Sequence, residues 1–318
     1  MSVVAAIDIG SVSTRMLVVD GERRIRRTVD TLLGGMSLRP DGRIRPEPFA
    51  AEALDRLRAA LGGFRRLVDE AGATEVRVVG TAAARATADL APLAEVVASC
   101  LGAELEVLAG DREAALAFVG VASGLPLAAG PVVTIDIGGG STEFVLGYGR
   151  RATATCSLPL GGALLTRAYL GSDPPRADEL SAALSIVELH IDDVHRAVPE
   201  LGPALPSATV VGLGAVVTVA AIEVGEVGVD AHNGDGDGPY HGFELTREAV
   251  EDVFRTIATE SRADRAFNPG LPPTRVDDIV GACAVLVETM RRLALDRVVV
   301  SQRGLLEGIA SEMSAGRG

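Results

Sequence analysis

Two stretches of the chain share one pattern of apolar and polar positions. Residues 3–7 form an apolar run that ends at Asp8 and a small polar turn, and apolar residues resume at 16–19. Residues 132–135 lead in the same way into Asp136 and a second turn, with apolar residues again at 144–146. Each reads as strand, tight turn, strand: a β-hairpin. Between the two the period changes. Leu54, Leu57, Leu61 and Phe64 fall on one face of a helix over 48–71. A strand follows at 75–80, a helix at 90–101, a strand at 104–108 and a helix at 111–122, for which Asp111 is the expected N-terminal cap. Gly and Pro at 123–130 mark a boundary between two lobes, 1–122 and 123–318.

The second half repeats the alternation. A long helix at 177–198 is stopped by Pro199, and a strand at 208–213 enters a third turn containing Gly212 and Gly214. Helices follow at 246–260 and 275–293, then a strand at 297–301 leading into 304–313, with 314–318 expected to fray. Strands alternating with helices predict a layered α/β fold.

Composition narrows this picture. The 318 residues are 47% hydrophobic and only 3% aromatic, with no Trp, so the core is built from Ala, Val, Leu and Ile, a mix suited to sheets covered by helices. All 30 basic residues are Arg, and the net charge is −13. That balance argues against binding DNA or an anionic membrane, so a polyanionic ligand would need local Arg and backbone N–H groups. Cys100, Cys156 and Cys283 lack metal or redox spacing and read as small hydrophobes in a reducing compartment. With no secretory signal and no apolar run long enough to span a bilayer, a soluble cytoplasmic protein is expected.

The chemistry lies in the hairpins. Residues 7–14 read I-D-I-G-S-V-S-T and residues 135–142 read I-D-I-G-G-G-S-T, identical at six of eight positions. In such a turn, Gly lets backbone N–H groups face phosphate oxygens, hydroxyls add donors, and the carboxylate holds Mg2+. Either turn alone could equally be a plain hairpin closure; the repetition favours a pair gripping a phosphate chain. The candidate phosphate contacts are Asp8, Gly10, Ser11, Ser13 and Arg15 in the first turn, and Gly138, Gly139, Gly140, Ser141 and Thr142 in the second. Gly212 and Gly214 form a third.

These motifs, with G-T-A-A-A-R at 80–85, L-A-G-D-R-E-A at 108–114, S-L-P-L-G at 157–161, H-G-F-E-L-T at 241–246 and S-Q-R-G-L at 301–305, resemble the Ppx/GppA family of exopolyphosphatases and guanosine pentaphosphate phosphohydrolases. The resemblance implies two actin-like, ribonuclease H-like domains with a cleft between them, and hydrolysis of a terminal phosphoanhydride. It implies Glu113 as the base that activates water, Asp136 and Glu143 as ligands of Mg2+ (or Mn2+), and Arg85 as a phosphate contact. Without it, Glu113 would read as a helix-dipole residue and Arg85 as a solvated one. The implied substrate is inorganic polyphosphate, with guanosine pentaphosphate the alternative. A weakened polyphosphate- or alarmone-binding sensor is a third reading, and the resemblance also implies a homodimer.

Against the family pattern Arg112 replaces an acidic residue, and four departures are apolar: Val12, Ala115, Val216 and Leu306 stand where polar or cationic residues are usual, which puts substrate and activity in question. A calcium-like spacing at 233–238, with Asp235, Asp237 and the later Glu244, lacks a preceding amphipathic helix and reads as an acidic surface loop. His190 and His195 lack the spacing of a zinc pair.

Overall fold

The computed structural model describes residues 3–21, 23–39, 42–127, 129–226, 234–235 and 237–315, with backbone alone at 234–235. Much of the calcium-like loop, including the Asp235 side chain, lies outside the described residues, as do 316–318 of the expected frayed tail.

Among the described residues the fold is α/β, with two six-stranded mixed sheets. The first runs Gly234–Asp235, Arg23–Asp30, Ser13–Asp20, Val4–Ile9, Glu75–Gly80, Leu105–Val107. The second runs Arg151–Leu158, Thr142–Tyr148, Pro131–Ile137, Thr209–Gly214, Arg297–Val300, Glu244–Thr246. In each, the antiparallel hairpin sits beside a third antiparallel strand, and its first strand pairs in parallel with the next strand of the same sheet. Both sheets therefore share the order third, second, first, fourth, as expected of ribonuclease H-like domains; beyond it the first continues with its fifth strand and the second with its sixth and then its fifth. The turns of both hairpins and the end of Thr209–Gly214 lie at the carboxyl ends of the central strands, where open α/β sheets bind ligands.

Strand Arg23–Asp30 was not legible from the apolar pattern. Four of its eight residues are Arg, and no side chain in it is fully buried. Pairing along all of Ser13–Asp20 makes it a strand in spite of its composition. Asp111 is not a cap. The helix Gly110–Ala122 begins one residue earlier, after Ala109, and Asp111 Oδ1 instead accepts the N–H of its neighbour Arg112 at 2.8 Å. The expected helix at 275–293 is a short 3-10 turn, Pro273–Arg275, followed by Ile279–Arg292.

The last helix, Leu305–Ala315, packs on the first sheet: Leu305, Ile309 and Met313 share a core with Val4, Leu17 and Val79. It meets Gly110–Ala122 backbone to backbone. A Cβ on Gly308 would overlap the Leu116 carbonyl, and one on Gly120 would overlap the carbonyl of Gly304. Gly308→Ala is therefore expected to destabilise the fold by about 1–3 kcal/mol through overpacking. Denaturant unfolding checks this, and an unmoved midpoint would show that the two helices can separate freely.

Candidate active site

The two hairpin turns are built alike. The Gly10 N–H donates to the Ser13 carbonyl at 3.0 Å, and the Gly138 N–H donates to the Ser141 carbonyl at 2.9 Å. Both turns line one cleft, together with Glu113, Glu143, Gly214, Ala215 and Arg275.

What separates the hairpins is the residue opposite the Asp. Across the first, Asp8 faces Arg15; across the second, Asp136 faces Glu143. In the first hairpin, Arg15 donates from Nε at 3.0 Å and from a terminal nitrogen at 2.5 Å to Oδ2 of the fully buried Asp8. Asp8 thus lies behind the cleft wall and holds Arg15, which lines it. Burial disfavours the Arg15 charge, but Asp8 and Asp136 outweigh it and hold the guanidinium above its ordinary range. In the second hairpin two carboxylates stand side by side, and burial pushes both upward. Arg15 partly offsets this for Asp136, while Glu113 and Asp136 add to it for Glu143.

Glu113 reaches this cluster because its helix starts close to a strand of the second sheet. A Cβ on Gly110 would lie 2.6 Å from Ser157 Cβ. Ser157 in turn donates to Glu143 Oε1 at 2.8 Å. Arg85, on the short helix Ala82–Ala86, donates at 2.5 Å to Glu113 Oε2 and at 3.0 Å to the Leu108 carbonyl, and lies 3.9 Å from Glu143. Arg85 thus contacts the cluster from an adjoining groove. Burial raises the Glu113 carboxyl to about 7 against the pull of Arg85, with Asp8 and Asp136 adding to the rise.

The third turn contributes backbone. Gly214 takes φ 65°, and a Cβ there would overlap the Ile137 carbonyl and come within 2.7 Å of Asp136 Oδ1. The helix Ala215–Val224 starts immediately after it with no side-chain cap, so its first N–H groups are available to an anion in the cleft. Gly212 and Thr142 do not line the cleft. Gly212 makes room for Val216, and buried Thr142 donates to the Leu160 carbonyl at 2.5 Å.

Of the four apolar departures, Val12 alone lines this cleft. Val216 and Leu306 are core residues, and Ala115 is a half-buried helix position away from it. The motif reading assigned no role to Arg275, although the residue links the two halves. It donates to Ser13 Oγ at 2.9 Å and to Asp278 at 3.1 Å, and Ser13 donates to Asp30 at 2.5 Å. Its sequence signal was a resemblance to the family pattern at Pro269-Gly270-Leu271 with Arg275, which carried no stated role.

Among the described residues, no three His, Cys, Asp or Glu side chains converge tightly enough to hold a metal ion unaided. Asp136 and Glu143 nevertheless suit Mg2+, which is commonly bound by one or two carboxylates with water and substrate phosphates completing its shell. Burial raises both carboxyls, with Glu113 and Asp136 adding to the rise at Glu143, and a divalent cation would offset that cost. No described helix is long and apolar enough to cross a membrane.

Comparison with known proteins places most of the chain in one family. The model of the Ppx/GppA phosphatase family matches residues 35–315, which includes the second turn and Glu113. Exopolyphosphatase 2 of Mycobacterium tuberculosis is 33% identical to this chain, covering 98% of both. An exopolyphosphatase-like protein of known structure superposes with a TM-score of 0.86 at 26% identity, over 99% of this chain and all of that one. The Aquifex aeolicus Ppx/GppA family member does so with a TM-score of 0.75 at 26% identity, over 100% and 99%.

Proposed function

The chain belongs to the Ppx/GppA phosphatase family, and we propose that it hydrolyses the terminal phosphoanhydride of inorganic polyphosphate with Glu113 as general base. The observation that carries this reading is the position of Glu113. It is a carboxylate raised to about 7, beside Arg85, at the edge of a cleft lined by two phosphate-type turns.

The chemistry follows from the geometry. Backbone N–H groups of the turns and of Ala215–Val224 hold the terminal phosphate, and Arg15 offsets its charge. Glu113 orients a water molecule and takes its proton as the oxygen attacks phosphorus. The bond to the bridging oxygen breaks, and the shortened chain leaves as an anion. Bound at Asp136 and Glu143, Mg2+ would neutralise charge on the phosphate oxygens. Phosphoryl transfer depends mainly on such positioning and charge neutralisation.

A base must be ionised to act. Below a pH of about 7, kcat/KM should fall roughly tenfold per pH unit, and above it the profile should flatten. Arg85 lowers the Glu113 pKa, so Arg85→Ala should move the acid limb to higher pH. An acid limb that stays near pH 4 in both proteins would remove Glu113 from this role.

The substrate is tested by orthophosphate release from polyphosphate, guanosine pentaphosphate and ATP in the presence of Mg2+. Release from polyphosphate at the highest kcat/KM supports the proposal. A clear preference for guanosine pentaphosphate would make that compound the substrate, and tight binding with no release would make the protein a sensor.

A further inference from the structure

Val12 does more than leave out a polar group. A Cβ on Gly139 would overlap Val12 Cγ2, so the valine side chain rests on the bare Cα of the opposite turn. Beside it, a Cβ on Gly140 would overlap Met36 Cε and come within 2.5 Å of Ser11 Oγ. Val12 and Met36 are 6% and 3% exposed, so this seam is dry. It is also fixed from behind, because the Val12 carbonyl accepts the N–H groups of Thr31 and Leu32, both at 2.8 Å.

The seam separates two spaces. On one side is the cleft with Glu113 and Asp136; on the other is the groove that holds Arg85, bounded by Ile44, Pro46 and Pro159. The two spaces share Ala82, Gly140 and Ser141 and meet where the turn tips touch. A phosphate chain running from the cleft past Arg85 must part this contact. It would then lie against an isopropyl group and a thioether that supply no donor, which is costly for an anion.

We propose that Val12, with Met36, is an apolar seal that sets chain length and restricts the site to short oligophosphates whose far end stays within the cleft. The inference rests on the phosphohydrolase reading for its substrate class, and it makes Val12 a specificity-determining residue. Opening the seal exposes apolar surface before a long chain can enter, so long substrates bind only the fraction of molecules that are open.

The test compares tripolyphosphate with long-chain polyphosphate in the wild type, Val12→Asn, Val12→Ala and Met36→Ala. Two quantities are read: kcat/KM from orthophosphate release, and Kd by calorimetry in the Glu113→Gln background. The wild type should favour tripolyphosphate. The long-to-short ratio of kcat/KM, and of affinity, should rise about tenfold in both Val12 variants and in the same direction for Met36→Ala. A ratio unchanged in all three variants, or a wild type that already favours long chains, overturns the seal. If nothing is hydrolysed, the hydrolase reading fails while the affinity ratio still decides the seal; if neither chain binds, both fail.

Discussion

Replacing Glu113 by Gln should lower orthophosphate release by about a thousandfold while leaving phosphate affinity within a few-fold. Gln keeps the size of the side chain and an oxygen that can accept from Arg85, now 2.5 Å from Oε2, so the local packing is retained. What is lost is the ability to take a proton. A thousandfold lies within the range attributed to general bases and is larger than loss of one hydrogen bond would give. Quenched-flow measurement of release, paired with calorimetric binding, separates the two effects. A kcat within about tenfold of wild type would mean that Glu113 only orients its surroundings.

The second large effect is on stability. Arg15→Leu should destabilise the protein by about 3 kcal/mol, toward the low end of what breaking a buried ion pair costs. Asp8 is fully buried, and its Oδ1 has no hydrogen-bond partner among the described residues, so the carboxylate depends on Arg15. The Arg15 side chain is 41% exposed, and solvent screening trims the penalty accordingly. Converting the partner as well, in Asp8→Asn with Arg15→Leu, should recover most of the loss, because no buried charge then remains. Denaturant unfolding of both variants is the check. If the single variant stays within about 1 kcal/mol of wild type, Asp8 has another means of satisfaction.

These effects show which parts of the site could be read from the chain. The hairpins were legible because their chemistry is local: six of eight residues recur, and the same backbone bond closes both turns. The asymmetry between them was legible only in part. Arg15 and Glu143 occupy matching places in the two copies, but only the cross-strand register shows that one Asp is paired with a cation and the other with a second carboxylate. Val12 could be seen as a missing polar group, not as a side chain seated on Gly139, because that contact joins residues more than a hundred positions apart. The link from Arg275 to Ser13 and the packing of Leu305–Ala315 on the first sheet are long-range in the same sense. No local propensity records them. The Arg-rich strand was obscured for the opposite reason, since its composition contradicts the sheet position that its neighbour imposes.

The central claim is that water attacks the terminal phosphorus in the cleft between the two turns. Hydrolysis of tripolyphosphate with Mg2+ in oxygen-18 water measures this most directly. The account predicts that each released orthophosphate carries one solvent oxygen and that the pyrophosphate left behind carries none. Solvent oxygen in the pyrophosphate, or tight binding of tripolyphosphate with no orthophosphate released, would contradict it.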